Sequence, residues 1–297
     1  MNRLTMKALQ LFLLLPMVWA KINVNLTGTF DEYNPDLKIY VTGEDIALIS
    51  EEEIKYFGLT DDCLKLGVKE YFGKEPNDVY LKSPTPWGDL YESLQWQPIY
   101  RILFPKNGKI INMAVKNVTI HQQTIENHTK QPFVYNVGIM KTVENTVKST
   151  WQNDGLTVID DVSYDIDIDS AGTTSFGYTS KWGHDSEQGQ FITIGKSELE
   201  ISLKPHQEIT AKLQATKVIL TFEVEYTSFL SGYLATIFAD SHKGHKFWGL
   251  DIGAIMERSN LKNELQSKEE VEFTFYINSI IIVHDKEYGV KLMDVSC

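Results

Sequence analysis

Apolar and polar residues alternate most strictly between residues 156 and 182. Val162, Tyr164, Ile166 and Ile168 hold even positions, while Ser163, Asp165, Asp167 and Asp169 hold the odd ones. A period of two marks a β-strand with one apolar and one wet face. After Ser170-Ala171-Gly172 the alternation resumes in phase, with Thr174, Phe176, Tyr178 and Trp182 even and Ser175, Gly177, Thr179 and Lys181 odd. Two in-phase strands around a short glycine-containing turn predict a hairpin. Symmetric closure sets Ile168 opposite Thr174, Ile166 opposite Phe176, Tyr164 opposite Tyr178 and Asp161 opposite Lys181, so one register satisfies both faces. Each arm is about nine residues long, the length a tilted membrane-spanning strand needs. Pattern alone leaves two readings open: a hairpin packed on a core, or one stave of a barrel around water.

Long alternating runs dominate everything past Gly108. Phe133, Tyr135, Val137, Ile139, Val143, Val147 and Trp151 all fall on odd positions, predicting a strand well beyond the usual length. Leu199, Ile201 and Leu203 alternate with polar residues up to a break at Pro205. Ile209, Ala211, Leu213 and Ala215 are odd, but Val218, Leu220, Phe222, Val224 and Tyr226 are even, so the phase slips near Thr216-Lys217 and a β-bulge is expected there. Residues 232–253 are punctuated by glycine, and the charged stretch 257–272 reads as a solvated loop or strand edge. Val271, Phe273 and Phe275, then Ile280, Ile281, Ile282 and Val283, close the pattern.

Residues 21–107 have a mixed texture that predicts an α+β region. Ser50-Glu51-Glu52-Glu53 has the form of a capping box, and Thr60-Asp61-Asp62 can start a second short helix carrying Leu64, Val68 and Phe72. A proline-broken aromatic run contains Trp87, Tyr91 and Trp96. Rings on such loops either stack on a receptor or glycan or plug a small core.

The first 20 residues, with Arg3 and Lys7 ahead of an apolar run and Val18 and Ala20 before the expected cut, read as a secretory signal peptide. The mature chain is therefore expected outside the cell. That setting changes the reading of two other features. Cys63 and Cys297 could form an intramolecular disulfide, the favoured expectation, with a free thiol or an inter-chain bridge as alternatives. Asn25, Asn117 and Asn127 each head an acceptor triplet for glycosylation. With 28 basic and 40 acidic residues the net charge is −12, which argues against nucleic acid as a partner.

Catalytic signatures are missing: there is no glycine-rich phosphate loop, Gly-x-Ser-x-Gly elbow or His-Glu-x-x-His, so an enzyme, a cofactor and a metal are not expected. His184-Asp185-Ser186 holds triad residue types without the separation a triad needs, and His242 and His245 are two histidines in a glycine-rich loop. Asp165-x-Asp167-x-Asp169 copies the start of a calcium loop, but Ser170 and Phe176 stand where glycine and a bidentate glutamate belong. The three aspartates form a like-charged stripe, which leads to the expectation that acid eases membrane insertion.

The order of these features resembles the aerolysin-like β-pore-forming family. They are a mixed N-terminal region, a very long strand ending Ser149-Thr150-Trp151, the amphipathic hairpin, the Leu203-Lys204-Pro205-His206 break and a later long strand followed by Ser231-Gly232. Within the family the chain is most similar to the clostridial epsilon-toxin and mosquitocidal-toxin branch and to related secreted animal proteins. The resemblance implies an elongated, mainly β fold with an aerolysin-like module over residues 108–297. It also implies a receptor- or glycan-binding N-terminal region and assembly of copies of the chain into a ring on a lipid membrane. Val162, Tyr164, Ile166, Ile168, Phe176 and Tyr178 would then face lipid, with Asp165, Asp167, Ser175 and Thr179 lining the lumen. The alternative is a secreted binding, storage or extracellular-matrix protein that keeps the fold and makes no pore.

Overall fold

The computed structural model describes residues 22–31, 35–153, 156, 161–169 and 174–297, so the expected leader and the turn at Ser170-Ala171-Gly172 lie outside the described residues. Strands β1 (Asn23–Thr29), β2 (Asp36–Thr42) and β3 (Asp45–Leu48) precede helices α1 (Glu51–Tyr56) and α2 (Asp61–Phe72). The chain continues through β4 (Asp78–Tyr80), α3 (Leu90–Ser93), β5 (Tyr100–Glu126) and β6 (Phe133–Asn153). The hairpin strands are β7 (Asp161–Asp169) and β8 (Thr174–Lys181), followed by β9 (Ser186–Leu203) and β10 (Glu208–Ser231). Last come β11 (Tyr233–His242), β12 (His245–Asp251), α4 (Ile252–Arg258), β13 (Leu265–Asp285) and β14 (Lys291–Ser296).

The fold is elongated and mainly β, as the alternation predicts. β10 is 24 residues long, and at about 3.3 Å per residue it alone spans roughly 80 Å. It runs antiparallel to both neighbours in a sheet ordered β3-β5-β10-β13-β6-β9, with β14 also on β13. A four-stranded sheet, β2-β1-β7-β8, and a three-stranded one, β12-β11-β4, complete the strands.

Three apolar clusters succeed one another along β10 and β13. A head cluster joins Phe57, Leu64 and Val68 of the helical region to Leu230, Leu234, Phe238, Ile255 and Met256. The head thus draws on chain segments far apart in sequence. A middle cluster packs the four-stranded sheet onto Val218–Tyr226 side chains of β10 and onto Val271, Phe273 and Phe275 of β13. A tail cluster brings Ile139, Leu199, Ile201 and Leu203 against Ile209, Ala211, Leu213, Ile281 and Val283.

The phase slip in β10 has a structural cause. The register does shift between Gln214 and Thr216, but β10 is continuous there, and the extra residues belong to its partners: Asn278-Ser279 on β13 and Ile120 on β5. In an uninterrupted strand, odd and even positions point to opposite faces. The sheet is therefore covered on one face up to Ala215, by the tail cluster, and on the other face from Val218, by the four-stranded sheet.

Helix starts follow the local chemistry. Ser50 and Glu53 close the expected capping box on α1, and Thr60 caps α2. Glu53 also reaches a buried ionic centre invisible in the pattern. Arg101 of β5 donates from Nε to Glu53 at 3.0 Å and from a terminal nitrogen to the Asp45 carboxylate at 2.6 Å, all three side chains being buried.

Two expectations are corrected. Residues 257–272 are a solvated loop only at 259–264: Glu257 and Arg258 end α4, and 265–272 begin β13, a strand flanked by β10 and β6 rather than an edge. The Cys63–Cys297 bridge does not form, and both thiols are free. Cys63 lies on α2 in the head, whereas Cys297 bonds Ser279, about 45 Å along β13 from Leu265 at roughly 3.3 Å per residue.

Candidate functional site

The hairpin forms in the register that the alternation requires: Asp161 pairs with Lys181, Tyr164 with Tyr178, Ile166 with Phe176 and Ile168 with Thr174. Val162, Tyr164, Ile166, Ile168, Phe176, Tyr178 and Trp182 are all buried, and Asp165, Asp167, Ser175 and Thr179 are exposed on the opposite face. In this state the apolar face meets protein. Phe176 packs 5.6 Å from Phe273, and Tyr164 lies 6.4 Å from Phe222, ring centre to ring centre.

β1 completes the dock. It pairs in parallel with β7, from Asn23 opposite Ser163 to Thr29 opposite Asp169, and adds Val24 and Leu26 to the same buried face. The outer edge of β7 is thereby hydrogen-bonded to the start of the described chain. Its only trace in the sequence is the short alternation Asn23, Val24, Asn25, Leu26, Thr27, too brief to specify a partner.

Beneath the hairpin lies Glu269 of β13, fully buried. Its carboxyl group accepts from Tyr164 of β7 and Ser149 of β6, and from Tyr226 of β10 at 3.1 Å. Ser180 of β8 sits 3.2 Å from the Ser149 hydroxyl and so reaches the carboxyl group through it. Trp151 stacks on Tyr226 with ring centres 5.5 Å apart and donates to Ser180 at 3.2 Å, while Trp182 lies 4.5 Å from Trp151. Burial pushes the Glu269 carboxyl up to about 7, against the opposing effect of its hydroxyl partners. Burial likewise drives the Tyr164 and Tyr226 hydroxyls well above their ordinary range, reinforced by the negative charge on Glu269. Nothing in the sequence singles out Glu269 from its charged neighbours; only its odd position, in phase with Val271 and Phe273, hints that it points inward.

The three aromatic candidates separate. Trp87 is 48% exposed and sits edge-on to Tyr80 at 5.4 Å and 5.8 Å from Phe247. Tyr91 is buried and donates to the Tyr80 carbonyl at 2.8 Å, and burial pushes its hydroxyl up to about 12. Trp96 is half-buried against Gly249, where a Cβ would approach its ring to 2.7 Å.

The glycosylation candidates also differ. Asn25 faces outward beside Tyr40 and Asp165, and Asn117 is exposed on β5. Asn127 is fully buried, and its amide nitrogen, the atom a glycan would occupy, donates to the carbonyls of Gln131, Leu203 and Lys204 at 2.8, 3.2 and 2.9 Å. That triplet is a structural tie between the β5–β6 and β9–β10 connections, so glycosylation there is incompatible with the fold.

The remaining motif candidates hold structural positions. Asp185 accepts from the Trp151 backbone at 2.8 Å, and His242 bonds the Phe72 carbonyl at 3.1 Å. Among the described residues no group of three or more His, Cys, Asp or Glu side chains is placed to hold a metal ion. No helix there is long and apolar enough to cross a membrane, which leaves crossing by strands untouched.

No protein-family model matches the chain. U-megalopygitoxin(8)-Mc8 of Megalopyge crispata is 31% identical over 91% of this chain and 94% of its own. U-megalopygitoxin(8)-Mo12 of Megalopyge opercularis is 31% identical over 97% of this chain and 100% of its own. Among solved structures, parasporin-2, a Bacillus thuringiensis toxin that recognizes cancer cells, superposes with a TM-score of 0.62. It does so at 16% identity, covering 86% of this chain and all of that one, a likeness of fold.

Proposed function

The chain belongs to the family of the U-megalopygitoxin(8) proteins and has an aerolysin-like fold, and from that premise we propose that it is a secreted pore-forming protein without catalytic activity. Copies assemble on a membrane, and each contributes β7 and β8 to a shared barrel. The observation that carries this reading is the hairpin itself: two strands of nine and eight residues in one register, apolar on one side apart from Thr174 and Ser180 at its ends and polar on the other. Such strands match the outward-apolar, inward-polar alternation of a membrane barrel. Val162, Tyr164, Ile166, Ile168, Phe176 and Tyr178 exchange protein for lipid on insertion, and Asp165, Asp167, Ser175 and Thr179 line the lumen. Trp87, with Tyr80 and Phe247 beside it, is the receptor- or glycan-contacting candidate, and Asn25 and Asn117 are the glycosylation candidates.

The test is dye release from liposomes and cells by the native, protease-treated and acidified protein. Leakage with detergent-resistant rings supports the reading; no leakage from any form overturns it. A second reading, a secreted binding or storage protein, is favoured by the exposed aspartates of β7, whose mutual repulsion is costly in a narrow lumen. A protein that stays monomeric on every membrane supports that alternative.

A further inference from the structure

We propose that Glu269 is the latch that holds the hairpin on the body of the molecule, and that neutral to alkaline conditions open it. The inference rests on the reading of β7 and β8 as the segment that leaves the body, and it deepens that reading by naming what controls departure. One carboxyl group gathers a hydroxyl from the hairpin, Tyr164 of β7, and one from each flanking strand of its own sheet, Ser149 of β6 and Tyr226 of β10, while Ser180 of β8 joins through Ser149. It is the buried carboxyl group beside the apolar side chains of the middle cluster. Everything on the hairpin side of that tie moves on release; everything on the sheet side stays.

The surroundings determine the sign. The titratable groups facing Glu269 are Tyr164 and Tyr226, with Ser149, Ser180 and the Trp151 and Trp182 rings completing the shell. Its charged neighbours on β13 alternate to the other face, where Lys268 bonds Glu223 and Glu225 at 3.2 Å. No cation offsets the carboxylate on the buried side among these groups. The docked state therefore favours the protonated acid, whose group sits near 7 when docked against 4.5 when solvated. A group raised in the docked state contributes stability that is fully present below the solvated value and lost as pH rises through the docked one. The window is pH 4.5 to 7, and release grows toward its upper end. This is opposite in sign to the acid-eased insertion expected from the aspartates of β7.

Hydrogen exchange on the full-length protein in solution, without membrane, tests the latch separately from the pore. After correction for intrinsic exchange, protection of the β7 and β8 amides is expected to fall on the order of tenfold or more between pH 5 and 7. Protection in β11 and β12 is expected to hold. Glu269→Gln keeps a neutral hydrogen-bonding group in place and is expected to abolish that pH dependence. Unchanged protection across the range in the native protein, or an equal loss in β11 and β12, overturns the latch, and neither result needs a variant that folds. Persistence of the dependence in Glu269→Gln overturns it as well. If the hairpin amides open with pH while no form of the protein, native, protease-treated or acidified, leaks liposomes or cells, the latch stands and the pore reading fails.

Discussion

Two buried carboxylate centres among the described residues are built on opposite principles. In the head, Asp45 and Glu53 share a buried guanidinium, Arg101, which joins β3 and α1 to β5. Under the hairpin, Glu269 has hydroxyl partners and no cation. A balanced centre holds at any pH where its charges persist, and breaking it strands an ion in a medium that solvates it poorly. A carboxyl group held by neutral hydroxyls is stable as the acid and costly as the anion. The head is thus closed by charge balance, while the hairpin dock carries a bond whose strength depends on the solution.

The largest expected effect breaks the balanced centre. Arg101→Met should cost about 3–5 kcal/mol in urea unfolding, because two buried carboxylates lose their cation. Replacing all three members, Arg101→Met with Asp45→Asn and Glu53→Gln, should recover most of that loss; a triple variant no better than the single one contradicts the charge-balance account.

Next comes the pH dependence of the dock. At 1.36 kcal/mol per unit, a shift from 4.5 to about 7 makes docking about 3 kcal/mol weaker above pH 7 than below pH 4.5. Denaturant midpoints for wild type and Glu269→Gln should converge in acid and separate toward neutral pH, with the glutamine variant the more stable. A wild-type midpoint that rises with pH would reverse the sign.

Tyr164→Phe should cost about 1.5–3 kcal/mol at pH 8, the range for a hydrogen bond to a charged group, and about 0.5–1.5 kcal/mol at pH 5, the range for a neutral one. An equal loss at both values would assign the hydroxyl a packing role only. The smallest effect belongs to Lys268→Ala, whose half-buried pairs with Glu223 and Glu225 are backed by Lys109 on the same two carboxylates. Its unfolding midpoint should match wild type within measurement error and respond to salt no differently.

How legible these regions were differs for a physical reason. The hairpin register, the capping box at Ser50 and the strand length at β6 depend on neighbours close in sequence or on strict periodicity, so the chain alone specifies them. The same alternation could not say whether Val162 to Tyr178 meet lipid or protein, because an apolar face is equally satisfied by either. The Asn127 triplet misled for a related reason: an asparagine amide serves a glycan or three backbone carbonyls, and only burial distinguishes them.

The amino-acid pattern by itself settled a mainly β, elongated fold, the phase of β6 to β10 and of the start of β13, and the two faces of the hairpin, all consequences of side chains alternating along a pleated backbone. The tertiary structure decided which face of β10 is covered at each level, that β1 closes the edge of β7, and that Glu269 lies in the interior. Those outcomes rest on strand partners tens to more than a hundred residues apart, and the Glu269 carboxyl group lies in an apolar core where three other strands, β6, β7 and β10, bring hydroxyls to meet it.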